Sequence, residues 1–111
     1  MQIVKLSKPI QKDGKAIKAL SLDFDKLTGR QIIAAEGEAR LLGDTTADLQ
    51  FSKNFQAVLA AKTSKDPVIV DDILDLPAPD FLLVTSTVTN FLFGWVLENL
   101  REKQSGKSQL N

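Results

Sequence analysis

Lys12-Asp13-Gly14-Lys15 divides two runs rich in strand-forming residues, Ile3–Ile10 and Ala16–Phe24, and reading it as a hairpin turn decides the fold class. Two loops can be drawn there. A two-residue loop at Asp13-Gly14 sets Leu6 against Ser21 and Val4 against Asp23, which mixes apolar and polar faces. A three-residue loop, Lys12 to Gly14 with Gly14 left-handed, pairs Leu6 with Leu20 and Val4 with Leu22, and this is the expected register. It also sets Lys8 opposite Lys18, so the hairpin tip is expected to project into water while its base packs.

Beyond the hairpin the period changes from two to that of a helix. Thr28 is an N-cap, Gln31 stands where it completes a capping box, and Leu27 with Ile32 fits a hydrophobic staple. Ile32, Ala35, Ala39 and Leu42 form one apolar stripe up to the stop at Gly43-Asp44. Gly37 in mid-helix costs about 1 kcal/mol relative to Ala, so this helix depends on tertiary packing. After a loop over 43–50, Phe51, Phe55, Val58, Leu59 and Lys62 recur at helical spacing, and the pattern fades at Thr63-Ser64-Lys65. Asp71–Leu76 reads as a short helical turn ended by Pro77. Pro79 suits the first turn of a closing helix, with Asp80 near its positive end.

The expected architecture is therefore α+β: a single small domain over 1–103, with an N-terminal β-hairpin (2–24) and about three α-helices (about 28–42, 51–63 and 79–102), then a polar, frayed stretch over 104–111. A chain of 111 residues accommodates one modest core.

Composition restricts the chemistry. With no Cys, no His and no Tyr, the chain lacks thiolate ligands and disulfides, the commonest general base and the commonest metal ligand. Met1–Leu20 carries Lys at regular intervals and no long apolar run, which argues against a signal peptide. Positive and negative residues balance at 14 each, so no global field favours nucleic acid or an anionic membrane. The charge is nevertheless segregated. Lys5, Lys8, Lys12, Lys15 and Lys18 meet only Asp13 in the first twenty residues, whereas Asp66–Leu100 holds six acids and no Lys or Arg.

Three stretches invite a functional reading. The lysine-rich hairpin lacks the aromatic or Arg residues that base contacts need, so a solvated ribbon is expected rather than nucleic-acid binding. Asp71-Asp72-Ile73-Leu74-Asp75 matches the DDxxD pattern that holds magnesium and pyrophosphate in isoprenoid synthases. That chemistry needs a large helical cavity and a second acidic cluster, and capping roles suffice for these aspartates, so no catalytic residue, metal or cofactor is assigned. Third, Phe81–Leu97 runs seventeen residues without a charge and ends in Phe91, Leu92, Phe93, Gly94, Trp95, Val96 and Leu97. A seam at Phe81, Val84, Val88, Phe91 and Trp95 suits packing on other helices, and a second stripe of Leu82, Thr89, Leu92 or Phe93, Val96 and Leu100 falls on different faces. The segment is central in the core, faces a partner, or enters a membrane. A membrane span fits least, because seventeen residues is the short limit and Thr85, Ser86, Thr87, Thr89 and Asn90 are poor lipid-facing choices.

Taken together, Leu20–Gly29 closing the hairpin, Glu36–Arg40 in an Ala/Glu-rich helix, Leu74–Phe81 and Val88–Leu92 resemble, in order and spacing, the small tail assembly chaperones of contractile-tailed, Mu-like phages and prophages. The resemblance covers roughly Ile3 to Gly94, most of one domain. It implies a non-enzymatic chaperone that coats the long helical tape-measure protein before the tail tube polymerises around it. It also implies action in the bacterial host cytoplasm and absence from the mature virion, and such chaperones are often made in short and frameshift-extended forms. A tape-measure chain exposes apolar helical stripes that a helix-on-helix contact can cover. Phe91, Phe93, Trp95, Val96, Leu97 and Leu100 are the candidate residues for contact with that client or with another copy of the chain. The rival expectation is a structural tail or baseplate subunit, which would be retained in the particle.

Overall fold

The computed structural model describes the backbone of residues 1–110 and the side chains of residues 1–94. Strands β1 (Gln2–Lys12) and β2 (Lys15–Leu22) form an antiparallel hairpin, followed by α1 (Gly29–Leu41), a 3₁₀ turn (Leu49–Phe51), α2 (Lys53–Thr63), α3 (Val70–Leu74) and α4 (Ala78–Leu110). The expected hairpin-plus-helices architecture is what the chain adopts. α4 extends to Leu110, beyond the end expected near 102.

The hairpin register differs from the expected one. Asp13 and Gly14 both take positive φ, 51° and 77°, and form a two-residue loop between the paired Lys12 and Lys15. Asp-Gly is the sequence such a turn prefers, because two consecutive positive φ values follow the twist of the strands. At the base, however, Val4 pairs with Leu20 and Gln2 with Leu22, a different register from that at the tip. The mismatch is absorbed between Lys5 and Ile10, where Leu6, Ser7, Lys8 and Pro9 stand opposite Lys18 alone. Turn chemistry sets one end and apolar pairing the other, and the bulge lets both be satisfied. Val4 meets Leu20, Ile10 meets Ile17, and no Lys8–Lys18 pair forms. Pro9 has no N–H to offer a ladder, so the irregularity falls where it costs least.

Asp80 receives the amides freed by the bulge. Its carboxylate, 3% exposed in the first turn of α4, accepts the Ser7 N–H (2.9 Å), the Ser7 hydroxyl (3.0 Å) and the Lys8 N–H (3.1 Å). These donors, the Ser7 amide foremost, hold its pKa below the usual carboxylate value against the opposing effect of burial. The tip also leans on the body rather than standing free in water: Ile10 is buried, and Lys12 Nζ pairs with Asp72 at 2.7 Å. At the other edge of the ribbon, the chain leaving α2 bridges to β2. Asp23 N–H donates to the Thr63 carbonyl (2.8 Å) and Lys65 N–H to the Ser21 carbonyl (2.9 Å).

α1 starts at the expected capping box, with Thr28 Oγ1 accepting from Gln31 N and Gln31 Oε1 accepting from Thr28 N. It stops where Gly43 takes φ +92° and the Gly43 and Asp44 amides turn back to the carbonyls of Arg40 and Ala39, a Schellman closure. Ala35 and Ala39 are fully buried, whereas Leu42, expected in that stripe, is 41% exposed. The central element is α2. From Phe55 to Ala60 every residue is buried, with α1, α3 and α4 packed around it. α4 contributes Val84, Thr85 and Val88 to the core, with Phe81, Phe91 and Leu92 half-buried against it.

Candidate partner-binding surface

Two aromatic stacks flank the uncharged part of α4, and they differ in what they leave to solvent. Phe91 lies on Phe24 with ring centroids 4.2 Å apart and planes 11° from parallel. Phe24 is buried, so this stack fastens α4 to the end of the hairpin. Phe93, two residues on, lies on Phe51 at 5.1 Å and 26°. Phe51 is 62% exposed, so this second stack is an aromatic ledge open to water.

Local hydrogen bonding holds the ledge in place. Leu49 is buried and roots the 3₁₀ turn, and Ser52 ends it and caps α2 by accepting the Phe55 N–H at 3.2 Å. Asp44 gathers the surrounding loop, accepting the Ser52 hydroxyl, the Asn54 amide (3.1 Å) and the Thr46 N–H (2.8 Å). Those donors, Ser52 first, drive its carboxyl far below the ordinary value. Arg40 closes the loop from the other side, donating from one guanidinium nitrogen to the carbonyls of Asp44 (3.2 Å) and Thr46 (2.8 Å). The Gln56 side chain donates to the Gln50 carbonyl at 2.9 Å. Phe51 thus stands on a braced loop.

The structure therefore places Phe91 at the core margin and Phe93 on the ledge. Trp95, Val96, Leu97 and Leu100 lie outside the residues whose side chains are described. The helical spacing of Phe51 with Phe55, Val58 and Leu59 puts it in the second helix and gives no sign of its place beside Phe93. A signal was available: Ser52, three residues before Phe55, is an N-cap in its own right and separates Phe51 from the helix that follows.

The acidic motif does not gather around a common point. Asp72 is engaged by the Ile69 N–H (2.9 Å) and Lys12 Nζ (2.7 Å), which lower its pKa in that order, while Asp71 and Asp75 are not drawn in with it. Among the described residues no three acidic, His or Cys side chains stand close enough to hold a metal ion, and no helix is long and apolar enough to cross a membrane.

A small α+β module with an aromatic ledge beside an uncharged run of its last helix has the kind of surface found on protein-binding domains. The chain matches, over residues 3–92, the family described as phage tail assembly chaperone proteins, E, or 41 or 14, and it belongs to that family. That membership implies protein partners in the phage tail and suggests a non-enzymatic role. No curated protein and no solved structure matches the chain.

Proposed function

We propose that this chaperone binds the tape-measure protein in the host cytoplasm during tail assembly, without turnover, and is left behind when the virion matures. The observation that carries the reading is the Phe51–Phe93 stack, in which Phe51 is exposed and Phe93 half-buried, at the edge of the core where the uncharged run of α4 continues in sequence to Leu97. Rigid aromatic anchors of this kind bind amphipathic helices at low entropic cost, and an elongated helical client supplies the matching apolar stripe. Contact through Phe51, Phe93, Trp95, Val96, Leu97 and Leu100 would cover that stripe until the tube replaces the chaperone.

Co-expression with the tape-measure protein encoded alongside it, followed by affinity purification and mass determination, tests the reading. The expected result is a soluble complex with several chaperone copies per client, and no chaperone in purified virions. An insoluble client with the chaperone eluting alone, or the chain recovered as a stoichiometric virion component, overturns it.

A further inference from the structure

The face of α4 turned away from the core has an order of its own. Leu82 and Leu83 are 52% and 49% exposed, Ser86, Asn90 and Gly94 are exposed, and a Cβ built on Gly94 meets nothing within 4 Å. No charge occurs on any side of the helix from Phe81 to Leu97. A solvated helix face ordinarily carries Lys and Glu, so this one is unusual in offering almost nothing that requires water. Even the Thr87 hydroxyl is turned onto its own helix, donating to the Leu83 carbonyl at 2.8 Å.

The pattern is symmetric about Asn90. Four residues before it stands Ser86 and four after it Gly94, both small; seven before it stands Leu83 and seven after it Leu97. Positions three, four and seven apart share one helix face, so these five residues form a single stripe that reads the same in both directions by size and polarity. Such a stripe is complementary to its own antiparallel copy. Across a two-fold axis at Asn90, each Leu83 meets the other chain's Leu97 position and each Ser86 meets the Gly94 position. The two Asn90 amides then meet each other, each able to donate to the other's carbonyl. The small residues on either side of the axis allow the helices to approach closely, and antiparallel helix dipoles attract. A helix of unrelated sequence would not require this symmetry.

We infer that α4 pairs with α4 of a second copy of this chain, antiparallel and centred on Asn90. The inference does not depend on the identity of the client. The stripe from Leu83 to Leu97 is about 21 Å long. A contact of that length buries on the order of 1,000 Å² in total, the low end for a specific interface, which suits a reversible dimer.

Because the chain has no Cys, engineered cysteines report the geometry directly. Ser86→Cys and Gly94→Cys are made separately in the full chain, mixed without client, and oxidised mildly. The pairing brings unlike positions together but leaves the two Ser86 positions about 12 Å apart along the axis, too far for a disulfide. A mixed 86–94 disulfide forming at least tenfold faster than either like pair is the expected result. Faster 86–86 linkage would mean a parallel pair, and no linkage above that of dilute thiols would mean no contact, and either overturns the inference. Sedimentation supplies a second reading. Asn90→Asp and Asn90→Lys place like charges on the axis, so each alone should weaken the dimer at least tenfold while helix content is unchanged, and mixing the two should restore it. Two variants that stay monomeric when mixed, or that dimerise as well as the parent, overturn it too.

Discussion

α2 and α4 pack against each other, yet they treat their apolar residues in opposite ways. α2, from Lys53 to Thr63, is only moderately apolar, with Lys53, Asn54, Gln56, Lys62 and Thr63 among its eleven residues, yet it is buried on all sides from Phe55 to Ala60. Its alanines let neighbouring elements approach closely, and Gln56 is kept inside by its bond to the Gln50 carbonyl. α4 holds the longest uncharged run in the chain and commits one side of it to the core, through Val84, Thr85 and Val88, leaving Leu82 and Leu83 half in water. Hydrophobicity therefore does not rank the helices by burial; their place in the topology does. A helix surrounded by neighbours needs small, well-fitted residues, whereas one at the margin can carry apolar surface for use elsewhere.

The most forceful way to break this contrast is to cut a cavity in α2. Leu59, fully buried, is expected to cost about 2–5 kcal/mol on change to Ala, against a total of about 5–15 kcal/mol for a domain of this size, and urea unfolding measures it. Leu83→Ala on the outer face of α4 should leave the urea midpoint nearly unchanged. If the two variants lost equal stability, the distinction between a central and a marginal helix would fail.

The next effect belongs to the join between hairpin and α4. Asp80→Asn keeps the shape but presents an amide where two N–H groups and a hydroxyl now donate, and the melting temperature should fall by about 5 °C or more at neutral pH. The pH dependence has a definite sign. The folded pKa of Asp80 lies below the unfolded value, so its contribution is present in full above the ordinary carboxylate range and is lost as pH falls through the folded pKa. Asp44 and Asp72 are shifted the same way, so wild type should lose stability progressively below about pH 5, and the Asp80→Asn variant should lose less over that interval. Thermal melts between neutral pH and about pH 3 test this, and an unchanged acid limb would remove Asp80 from the account.

These contrasts also mark what could be read in the sequence. Features closed within a few residues were legible: the Thr28–Gln31 capping box, the stop at Gly43 and the Pro79 helix start all depend on local hydrogen bonding. The hairpin itself was legible and its register was not, because the bulge at Leu6–Pro9 is fixed by a carboxylate 73 positions beyond Ser7. Local chemistry favoured the Asp13-Gly14 turn, face matching favoured another register, and no local rule shows that both can be met. The surface was half legible for the same reason. Phe93 could be picked out from the uncharged run, whereas Phe51 comes beside it only when the Asp44-braced loop brings it alongside.

A smaller effect, and one of opposite sign, separates two glycines of α1 and its cap. Gly37 sits in mid-helix with open space where a Cβ would go, so Gly37→Ala should stabilise by about 0.5–1 kcal/mol. Gly43 has equal space but φ +92°, so Gly43→Ala should destabilise through backbone strain alone. Urea midpoints moving in opposite directions would confirm that conformation rather than room governs these sites. Movement in the same direction would contradict the helix end as described.

The smallest effect on stability carries the most about function. The stacks Phe24–Phe91 and Phe51–Phe93 look alike in plan, but Phe24 is 7% exposed and Phe51 is 62% exposed. Phe24→Ala removes a buried ring and should cost about 3–5 kcal/mol. Phe51→Ala removes a ring already mostly in water and should cost no more than about 1 kcal/mol, the value of the stacking contact itself. If the ledge exists to meet a partner, the order reverses when capture of the tape-measure protein is the readout. Phe51→Ala should then lower client recovery at least tenfold with the melting temperature nearly intact, an effect that Phe51→Leu should partly rescue by keeping an apolar anchor. A Phe51→Ala protein as unstable as Phe24→Ala would make the ledge part of the core, and one that captures the client as well as wild type would leave the ledge without a role in binding.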